Sequence, residues 1–262
     1  MLQQENFKRK VEFYEPRLIN DHFQNYKQYN VPKAQLILTD IPYNLGNNAY
    51  ASNPSWYEWW DNANWESELA GKQFFDTDKD FKISEFLHYA SQMLKPEPKE
   101  AWKSPCIVVF CAFEQQFELI QKAPEYWFKN YINLVFRKNY SWQVLKANMK
   151  VVWNCEYALI LYREKLPKFN NHWKMVFNCF DWVRDNKTPK IHSTQKPVAL
   201  LEQLIEIFTD EWEVVIDTCA WSWTTLLAGA QCNRKTIWFE IKKDFFKLSN
   251  EKILCNFQKK LW

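Results

Sequence analysis

Residues 213–240, EVVIDTCAWSWTTLLAGAQCNRKTIWFE, indicate the fold of this chain. A short apolar run ends at Asp217, a helical segment follows over residues 224–232, and a second apolar run, 235–239, precedes Glu240. Strand, helix and strand in this order are typical of parallel sheets, which bind ligands beside the carboxyl ends of their strands. The stretch therefore predicts an α/β fold with functional residues near Asp217 and Glu240.

The rest of the chain continues the alternation of short apolar runs and helical patterns. Further strands are predicted at residues 35–39, 106–111, 131–136 and 157–162. Helices are predicted at residues 83–94, 113–122 and 197–208 and over the last 20 residues. Residues 44–80 are expected to form a long polar loop, and residues 163–190 are expected to be irregular. The predicted fold class is α/β, with a mainly parallel twisted sheet flanked by helices.

Length and composition are those of an ordinary globular protein. The chain has 262 residues, of which 47% are hydrophobic and 25% charged, enough for one large domain. It contains neither an apolar run long enough to span a membrane nor a signal-peptide pattern. Its seven cysteines lack metal-ligand spacing, which predicts reduced core residues and no metal site. We expect a cytoplasmic protein of a bacterium or a phage-infected cell.

Basic residues are concentrated in one segment. Residues 129–196 contain 13 Lys and Arg against 4 Asp and Glu, although the whole chain carries a net charge of only +3. Such a segment is suited to the phosphates of a nucleic acid. An ordinary solvated face has the same composition, so the charge pattern alone leaves both interpretations open.

The tetrapeptide Asp40-Ile41-Pro42-Tyr43 resembles the Asp-Pro-Pro-Tyr motif of DNA amino-methyltransferases. An exocyclic amine is a poor nucleophile because its lone pair is delocalised into the ring. The resemblance implies that the Asp40 carboxylate and the Ile41 carbonyl accept its two N–H bonds and free the lone pair. It also implies that Tyr43 stacks on a flipped base and that Pro42 stiffens the turn. Ile41 departs from the family's first proline but keeps the carbonyl.

Three further stretches resemble the cofactor motifs of the same family, which implies S-adenosylmethionine as cofactor. Residues 192–197, HSTQKP, resemble His-Pro-Thr-Gln-Lys-Pro, and residues 217–225, DTCAWSWTT, resemble Asp-Pro-Phe-x-Gly-Ser-Gly-Thr-Thr. Glu240 follows the next strand, where an acidic residue binds ribose hydroxyls. The residues implied to contact the cofactor are His192, Thr194, Gln195, Lys196, Asp217, Cys219, Trp221, Trp223, Thr224, Thr225 and Glu240. A solvated charge at Lys196 and a helix-start carboxylate at Glu240 are the plainer interpretations.

The order of these motifs, catalytic before basic segment before cofactor, is the β-type arrangement of the family. It implies a single Rossmann-like methyltransferase domain over residues 1–262. The expected parts are a catalytic half at about 33–162, a target-recognition region at about 137–190 and a cofactor half at about 191–250. The implied partner is double-stranded DNA, bound by a monomer or dimer, in a restriction-modification or phage setting.

Asp rather than Ser at position 40 favours adenine N6 over cytosine N4 as the methylated atom. Three alternatives stay open: a cytosine-N4 DNA methyltransferase, a catalytically impaired DNA-binding relative and, less favoured, a glutamine-modifying protein methyltransferase. The last group usually carries Asn at this position.

Glycine and tryptophan contents are abnormal. The chain has 3 Gly and 15 Trp, whereas about 18 Gly are expected for this length. Trp221, Trp223 and Trp238 stand where the family has glycine, and Trp212 stands where a turn glycine is expected. An indole at Trp221 or Trp223 should project into the cofactor's space. We hypothesise that most of the tryptophans represent a codon that the source organism reads as glycine, since UGA is read as tryptophan in some codes and as glycine in others. Trp56 and Trp182, beside other apolar residues, are expected to be genuine. A protein that is genuinely rich in tryptophan is the alternative.

Overall fold

The computed structural model describes residues 16–44, 80–138, 154–171, 174–188, 195–220 and 223–260, with side chains up to residue 251. The strands in these ranges are β1 (Arg17–Ile19), β2 (Leu36–Asp40), β3 (Cys106–Cys111), β4 (Asn130–Lys138), β5 (Cys155–Tyr162), β6 (Cys179–Trp182), β7 (Val214–Asp217) and β8 (Lys235–Phe239). The α-helices are α1 (Ile83–Met93), α2 (Phe113–Lys122), α3 (Val198–Phe208), α4 (Thr224–Gln231) and α5 (Lys243–Lys260). Within the described ranges, 3₁₀ helices lie at Phe23–Tyr29 and Ala123–Tyr126. None of the helices in the described ranges is long and apolar enough to cross a membrane.

The strands form one sheet in the order β1-β8-β7-β2-β3-β5-β4-β6. Every neighbouring pair is parallel except the two that involve β5, which runs antiparallel to both β3 and β4. The prediction of an α/β fold with a mainly parallel sheet is therefore confirmed. Because β5 is reversed, its first residues lie at the same sheet edge as the last residues of β3 and β4.

The central strands are apolar throughout because helices cover both faces of the sheet. Alternate residues of β3 belong to opposite hydrophobic clusters: Ile107 packs on one face and Val108 on the other. Helix α1 covers the first face with residues such as Phe86, and α3 covers the second with residues such as Leu204. The six buried residues of β3 are thus explained by two-sided burial.

Helix α4 packs unusually close to β8. A Cβ atom on Gly229 would lie 2.1 Å from Cγ2 of Thr236, a distance that real contacts do not reach. Any larger residue at this position would force the Thr236 side chain to shift, so the approach of helix and strand favours glycine.

The sequence prediction missed two edge strands. Residues 163–190 were expected to be irregular, but Cys179–Trp182 form β6, where only Phe180 and Trp182 are buried. Strand β1 has three residues. Two inward-facing residues are too few to reveal a period of two, so short edge strands escape pattern analysis. The predicted loop over residues 44–80 lies outside the described residues except at its two ends.

Candidate active site

Three acidic residues meet at the carboxyl edge of the sheet. Asp40 ends β2, Asp217 ends β7, and Glu240 directly follows β8. The three strands are adjacent and parallel, so their ends lie side by side. The fold therefore brings the three carboxylates to the carboxyl ends of adjacent strands, which is where open α/β sheets bind ligands.

The turn after Asp40 is fixed by hydrogen bonds to its backbone. The Ile41 N–H donates to the carbonyl of Phe110 at 3.2 Å. The Gln115 side chain donates from Nε2 to the Pro42 carbonyl at 2.8 Å, while its Oε1 accepts from the Ala112 N–H at 3.0 Å. Gln115 is buried in the first turn of α2, so this clamp holds the residues that follow Asp40 rigidly.

Asp40 belongs to a buried cluster of four charged side chains, with Lys196, Glu156 and Lys138. Lys196 forms an ion pair with Oδ2 of Asp40, and its Nζ also lies 3.5 Å from Oε2 of Glu156. Lys138 forms an ion pair with the other oxygen of Glu156. The Tyr43 hydroxyl lies 3.5 Å from Oε2 of Glu156. The side chains of Lys196, Glu156 and Lys138 are 6%, 11% and 12% exposed, so these charges are removed from water.

Aromatic rings support both ammonium groups of this cluster. Nζ of Lys196 lies 4.5 Å from the centroid of the Phe110 ring, and Nζ of Lys138 lies 4.8 Å from that of Trp182. Cation–π contacts of this kind are strongest where the cation is desolvated. They help to offset the cost of burying the two lysines, which ion pairing alone offsets incompletely.

The pKa values of the cluster follow from burial and pairing. Burial raises the pKa of Asp40, and the opposing effect of Lys196 only partly offsets it, because Glu156 adds repulsion. Burial acts in the same direction on Glu156, but Lys196 and Lys138 outweigh it and leave the pKa of Glu156 below its usual range. Burial and the neighbouring carboxylates raise the pKa of Tyr43 well above its usual value. Compared with the usual value of each group, the pKa of Asp40 is raised and the pKa of Glu156 is lowered.

A cleft lies beside this cluster. Its cavity volume is about 340 Å³, and it is lined by Pro42, by Thr218 and Cys219 after β7, and by Glu240 after β8. Much of the remaining lining is aromatic, from Phe23, Phe81, Phe239 and Phe245. Pro42 therefore joins the Asp40 turn to the cleft.

Glu240 is 7% exposed although it lines the cleft. Burial raises the pKa of Glu240 to about 7, the Lys242 N–H opposes this shift, and the charge of Asp217 adds to it. Oε1 of Glu240 accepts the Lys242 N–H at 2.7 Å just before α5 begins. The side chain is thus a helix-start carboxylate and a cleft residue at once.

The turn after β7 is organised by Asp217. Its Oδ1 accepts the Cys219 N–H at 3.1 Å, and burial raises the pKa of Asp217 to about 6 against the effect of this bond and of the Thr225 hydroxyl. The hydroxyls of Thr39 and Thr218 lie 3.0 Å apart and tie β2 to the same turn. Thr224 and Thr225, both buried, begin α4.

The indole of Trp223 does not lie in the cleft. It is 3% exposed and packs with Ala220, Leu226 and Trp238. The ring turns toward Trp238 of β8, and Trp223 is not among the residues that line the cleft. Its implied contact with the cofactor stays a prediction. His192, Thr194 and Trp221 lie outside the described residues.

Comparison with known proteins identifies the family. A family model described as DNA methylase matches residues 34–251. The chain belongs to the DNA methylase family. Over 114 residues this methylase is 32% identical to the DNA adenine methyltransferase YhdJ of Escherichia coli K12, covering 42% of the chain and 39% of that protein. Over 72 residues it is 33% identical to the type II methyltransferase M.HpaI of Haemophilus parainfluenzae, covering 28% of the chain and 23% of that protein. The aligned parts span less than half the length of these relatives.

Solved structures share the fold of this methylase. The M1.HpyAVI–SAM complex matches with a TM-score of 0.63 at 19% identity, covering 90% of this chain and 97% of that one. The cytosine-N4-specific PvuII DNA methyltransferase matches with a TM-score of 0.62 at 15% identity, covering 90% and 85%. The prediction of a Rossmann-like methyltransferase fold is confirmed.

Three residues of the site were not predicted from the sequence. Gln115 lies outside the recognised motifs, and Lys138 and Glu156 lie in the expected target-recognition region, residues 137–190, where no individual site residue was assigned. Glu156 is a charged residue near the start of an apolar strand. This position indicates a site residue only when β5 is known to run antiparallel beside β3, because the start of β5 then lies next to the end of β3. The family resemblance implies that Lys196 contacts the cofactor. In the structure Lys196 is buried and contacts Asp40, so it is not a solvated charge.

Proposed function

We propose that this methylase transfers a methyl group from S-adenosylmethionine to an exocyclic amino group in double-stranded DNA, and that the target is N6 of adenine. The observation that carries the proposal is the position of Asp40 at the end of β2, two residues before Pro42, which lines the cleft beside Glu240. A carboxylate suited to an amine is thus next to a cavity suited to a nucleoside.

The lining of the cleft fits the adenosine part of S-adenosylmethionine. Rings such as Phe81 and Phe239 offer an apolar surface to a purine, and the buried carboxylate of Glu240 offers an acceptor to ribose hydroxyls. Cys219 and Thr218 add polar atoms between these two regions. The other contacts implied by the family motifs, among them Gln195 and Thr224, remain predictions.

Asp40 is the residue to which we assign the chemistry. When bound, the cofactor supplies a methyl group on a sulfonium, whose carbon–sulfur bond breaks as the new nitrogen–carbon bond forms. Asp40 accepts one N–H of the amine, and the Ile41 carbonyl accepts the other, so that the nitrogen lone pair is free. Asp40 then takes the proton that the methylated nitrogen releases. Burial, which raises the pKa of Asp40, suits the carboxylate to this step.

Adenine is favoured over cytosine by two observations. Position 40 is Asp, which resembles adenine-specific members more than cytosine-specific ones. In addition, the relative YhdJ is named a DNA adenine methyltransferase. The scaffold itself does not discriminate, because the cytosine-N4-specific PvuII enzyme has the same fold.

The surface proposed to face DNA lies within residues 174–188. Lys174, Arg184 and Lys187 are exposed there, together with Met175 and Phe177, which are 86% and 79% exposed. Exposed basic side chains position an enzyme on phosphates, while neighbouring groups read bases. The division into catalytic, recognition and cofactor parts remains a prediction.

Part of the charge in the basic segment is committed within the protein. Ion pairs join Lys129 to Glu164, Arg137 to Asp181, and Lys168 to both Asp210 and Glu213. The excess of 13 basic over 4 acidic residues in this segment therefore overstates the charge available to DNA.

The test is a product analysis. Protein, labelled S-adenosylmethionine and unmethylated duplex DNA of varied sequence are incubated, and the DNA is digested to nucleosides. We expect label in N6-methyladenine, whereas label in N4-methylcytosine would overturn the choice of base. If folded protein binds DNA but transfers no methyl group, the enzymatic proposal fails and a DNA-binding role replaces it. Asp40→Ala serves as the control that should lose transfer.

A further inference from the structure

The four charged side chains of the cluster, Asp40 included, alternate in sign along their ion pairs. Lys196 is shared between Asp40 and Glu156, and Glu156 is shared between Lys196 and Lys138. Neither Glu156 nor Lys138 belongs to a motif that resembles the family's catalytic or cofactor residues. Buried carboxylates are costly unless paired, so a second one beside the catalytic position calls for a physical reason.

We propose that Glu156 is a positioning residue for Asp40: it shares Lys196 with Asp40 and thereby keeps the Asp40 carboxylate available as an acceptor for the target amine. This rests on the function proposed above.

The geometry explains how the sharing works. If Lys196 were paired with Asp40 alone, its full charge would stabilise the ionised carboxylate. Asp40 would then be a weak proton acceptor. Oε2 of Glu156, 3.5 Å from Nζ of Lys196, takes part of the attraction. Lys138 binds the opposite oxygen, so Glu156 does not turn away. The titratable groups facing Asp40 from the packed elements are Lys196, Glu156, Tyr43, Cys111, Asp217 and Cys219.

The proposal predicts opposite effects of two substitutions on the pH profile of kcat for methyl transfer. In Glu156→Gln, Lys196 pairs with Asp40 alone and one negative charge is lost, so the acidic limb of the profile moves to lower pH and the plateau falls. In Lys138→Gln, Glu156 pairs with Lys196 more fully, so the limb moves to higher pH. A neighbouring charge typically shifts a carboxyl pKa by about one unit or more, which sets the size of each expected shift.

Controls separate positioning from mere stability. Glu156→Asp keeps the charge and should keep the limb near its wild-type pH. Lys168→Gln is the matched control: Lys168 is also 12% exposed and pairs with two carboxylates, Asp210 and Glu213, which form no ion pair with the cluster. This substitution should leave the acidic limb of the pH profile unmoved. Cofactor affinity, measured separately, should be unchanged in all variants.

The outcomes are distinct from those of the proposed function. If wild-type protein transfers no methyl group, the proposed function fails. If it does, and Glu156→Gln and Lys138→Gln leave the limb in place or move it in the same direction, the positioning role is refuted.

A second, independent observation concerns backbone conformation. Among the described residues, six other than glycine have positive φ: Asn30, Asn44, Asn233, Trp102, Trp127 and Trp212. Asparagine tolerates this region, whereas a bulky side chain such as tryptophan is a clear outlier in it. The three indoles are 59%, 71% and 44% exposed in chain order, so packing does not offset the strain.

Each of these tryptophans occupies a turn or the end of a helix. The Trp127 N–H bonds the carbonyls of Ala123 and Pro124 at the end of a 3₁₀ helix, a position typical of glycine. The Trp212 N–H bonds the carbonyl of Asn233 at 2.8 Å in the turn before β7. Trp223 and Trp238 are unfavourable for a different reason. Both are buried, and neither indole N–H has a hydrogen-bond partner.

We infer that glycine is the native residue at positions 102, 127, 212, 223 and 238. Strained backbone at three exposed positions and orphaned polar groups at two buried ones are both removed by this single change. The excess of tryptophan over glycine in the composition has the same explanation. Trp182 lies outside the inference, because its ring packs against Phe136 and Lys138.

Two measurements test this inference. The gene should carry UGA at these five codons and UGG at codon 182; UGG at all six would overturn it. Independently, a variant with glycine at positions 102, 127 and 212 should melt a few °C above the chain as written. The matched variant with alanine at the same positions retains a Cβ and should show no comparable gain. Equal melting of the glycine and alanine forms would refute the strain that supports the inference.

Discussion

Cofactor binding should weaken as the pH falls through about 7, because Glu240 must be ionised to accept hydrogen bonds from ribose hydroxyls. Burial and the nearby charge of Asp217 raise the pKa of Glu240 to about 7. A group with this pKa is about one-quarter ionised at pH 6.5 and about nine-tenths ionised at pH 8. The dissociation constant should therefore rise about fourfold from pH 8 to pH 6.5.

Isothermal titration with S-adenosylhomocysteine at constant ionic strength measures this slope. The window should stay above pH 6, since the pKa of Asp217 is about 6 and its protonation disturbs the turn after β7. Glu240→Gln should bind more weakly at pH 8 but lose the slope. An analogue without the 2′- and 3′-hydroxyls should also bind without the slope. A slope that persists in Glu240→Gln would refute the assignment of the ribose to this carboxylate.

Three further predictions concern stability and chemistry. Gly229→Ala should lower the free energy of unfolding in urea by about 1–2 kcal/mol, because the new Cβ meets Thr236. Adding Thr236→Ser should recover most of this loss. Equal urea midpoints for wild type and Gly229→Ala would contradict this prediction. Since folding raises the pKa of Glu240 from 4.5 to about 7, the folded state holds the proton more tightly, and this group's stabilising contribution is lost as pH rises through that window. Glu240→Gln should therefore gain stability relative to wild type from pH 4.5 to 7, and a constant difference would disprove the shift. Asp40→Asn should retain cofactor affinity but lose methyl transfer by at least about a hundredfold in single-turnover measurements, and near-normal transfer would exclude Asp40 as the acceptor.

The sequence predicted the strands at the centre of the sheet well. Their apolar runs are buried on both faces, as at Ile107 and Val108, so burial imposes an unbroken pattern. The same reasoning found the ends of β2 and β7, where Asp40 and Asp217 lie. Strand β6 was missed because it has only two buried residues.

The site was only partly predictable for a related reason. Motifs located Asp40, which ends β2, and Glu240, which directly follows β8. Glu156 meets Lys138 and Lys196 because β5 runs antiparallel beside β3 and β4, a tertiary arrangement that a single sequence does not encode locally. The direction of the Trp223 indole likewise depends on the space beside β8, which only packing reveals.

The most direct test of the central claim is transfer of labelled methyl from S-adenosylmethionine to unmethylated duplex DNA in a single turnover, followed by identification of the labelled nucleoside. Wild-type protein should produce N6-methyladenine, and Asp40→Asn, with cofactor bound, should not. Absence of labelled DNA with folded, cofactor-bound wild-type protein, or equal labelling by Asp40→Asn, would contradict the proposal that Asp40 activates an adenine amine for methylation.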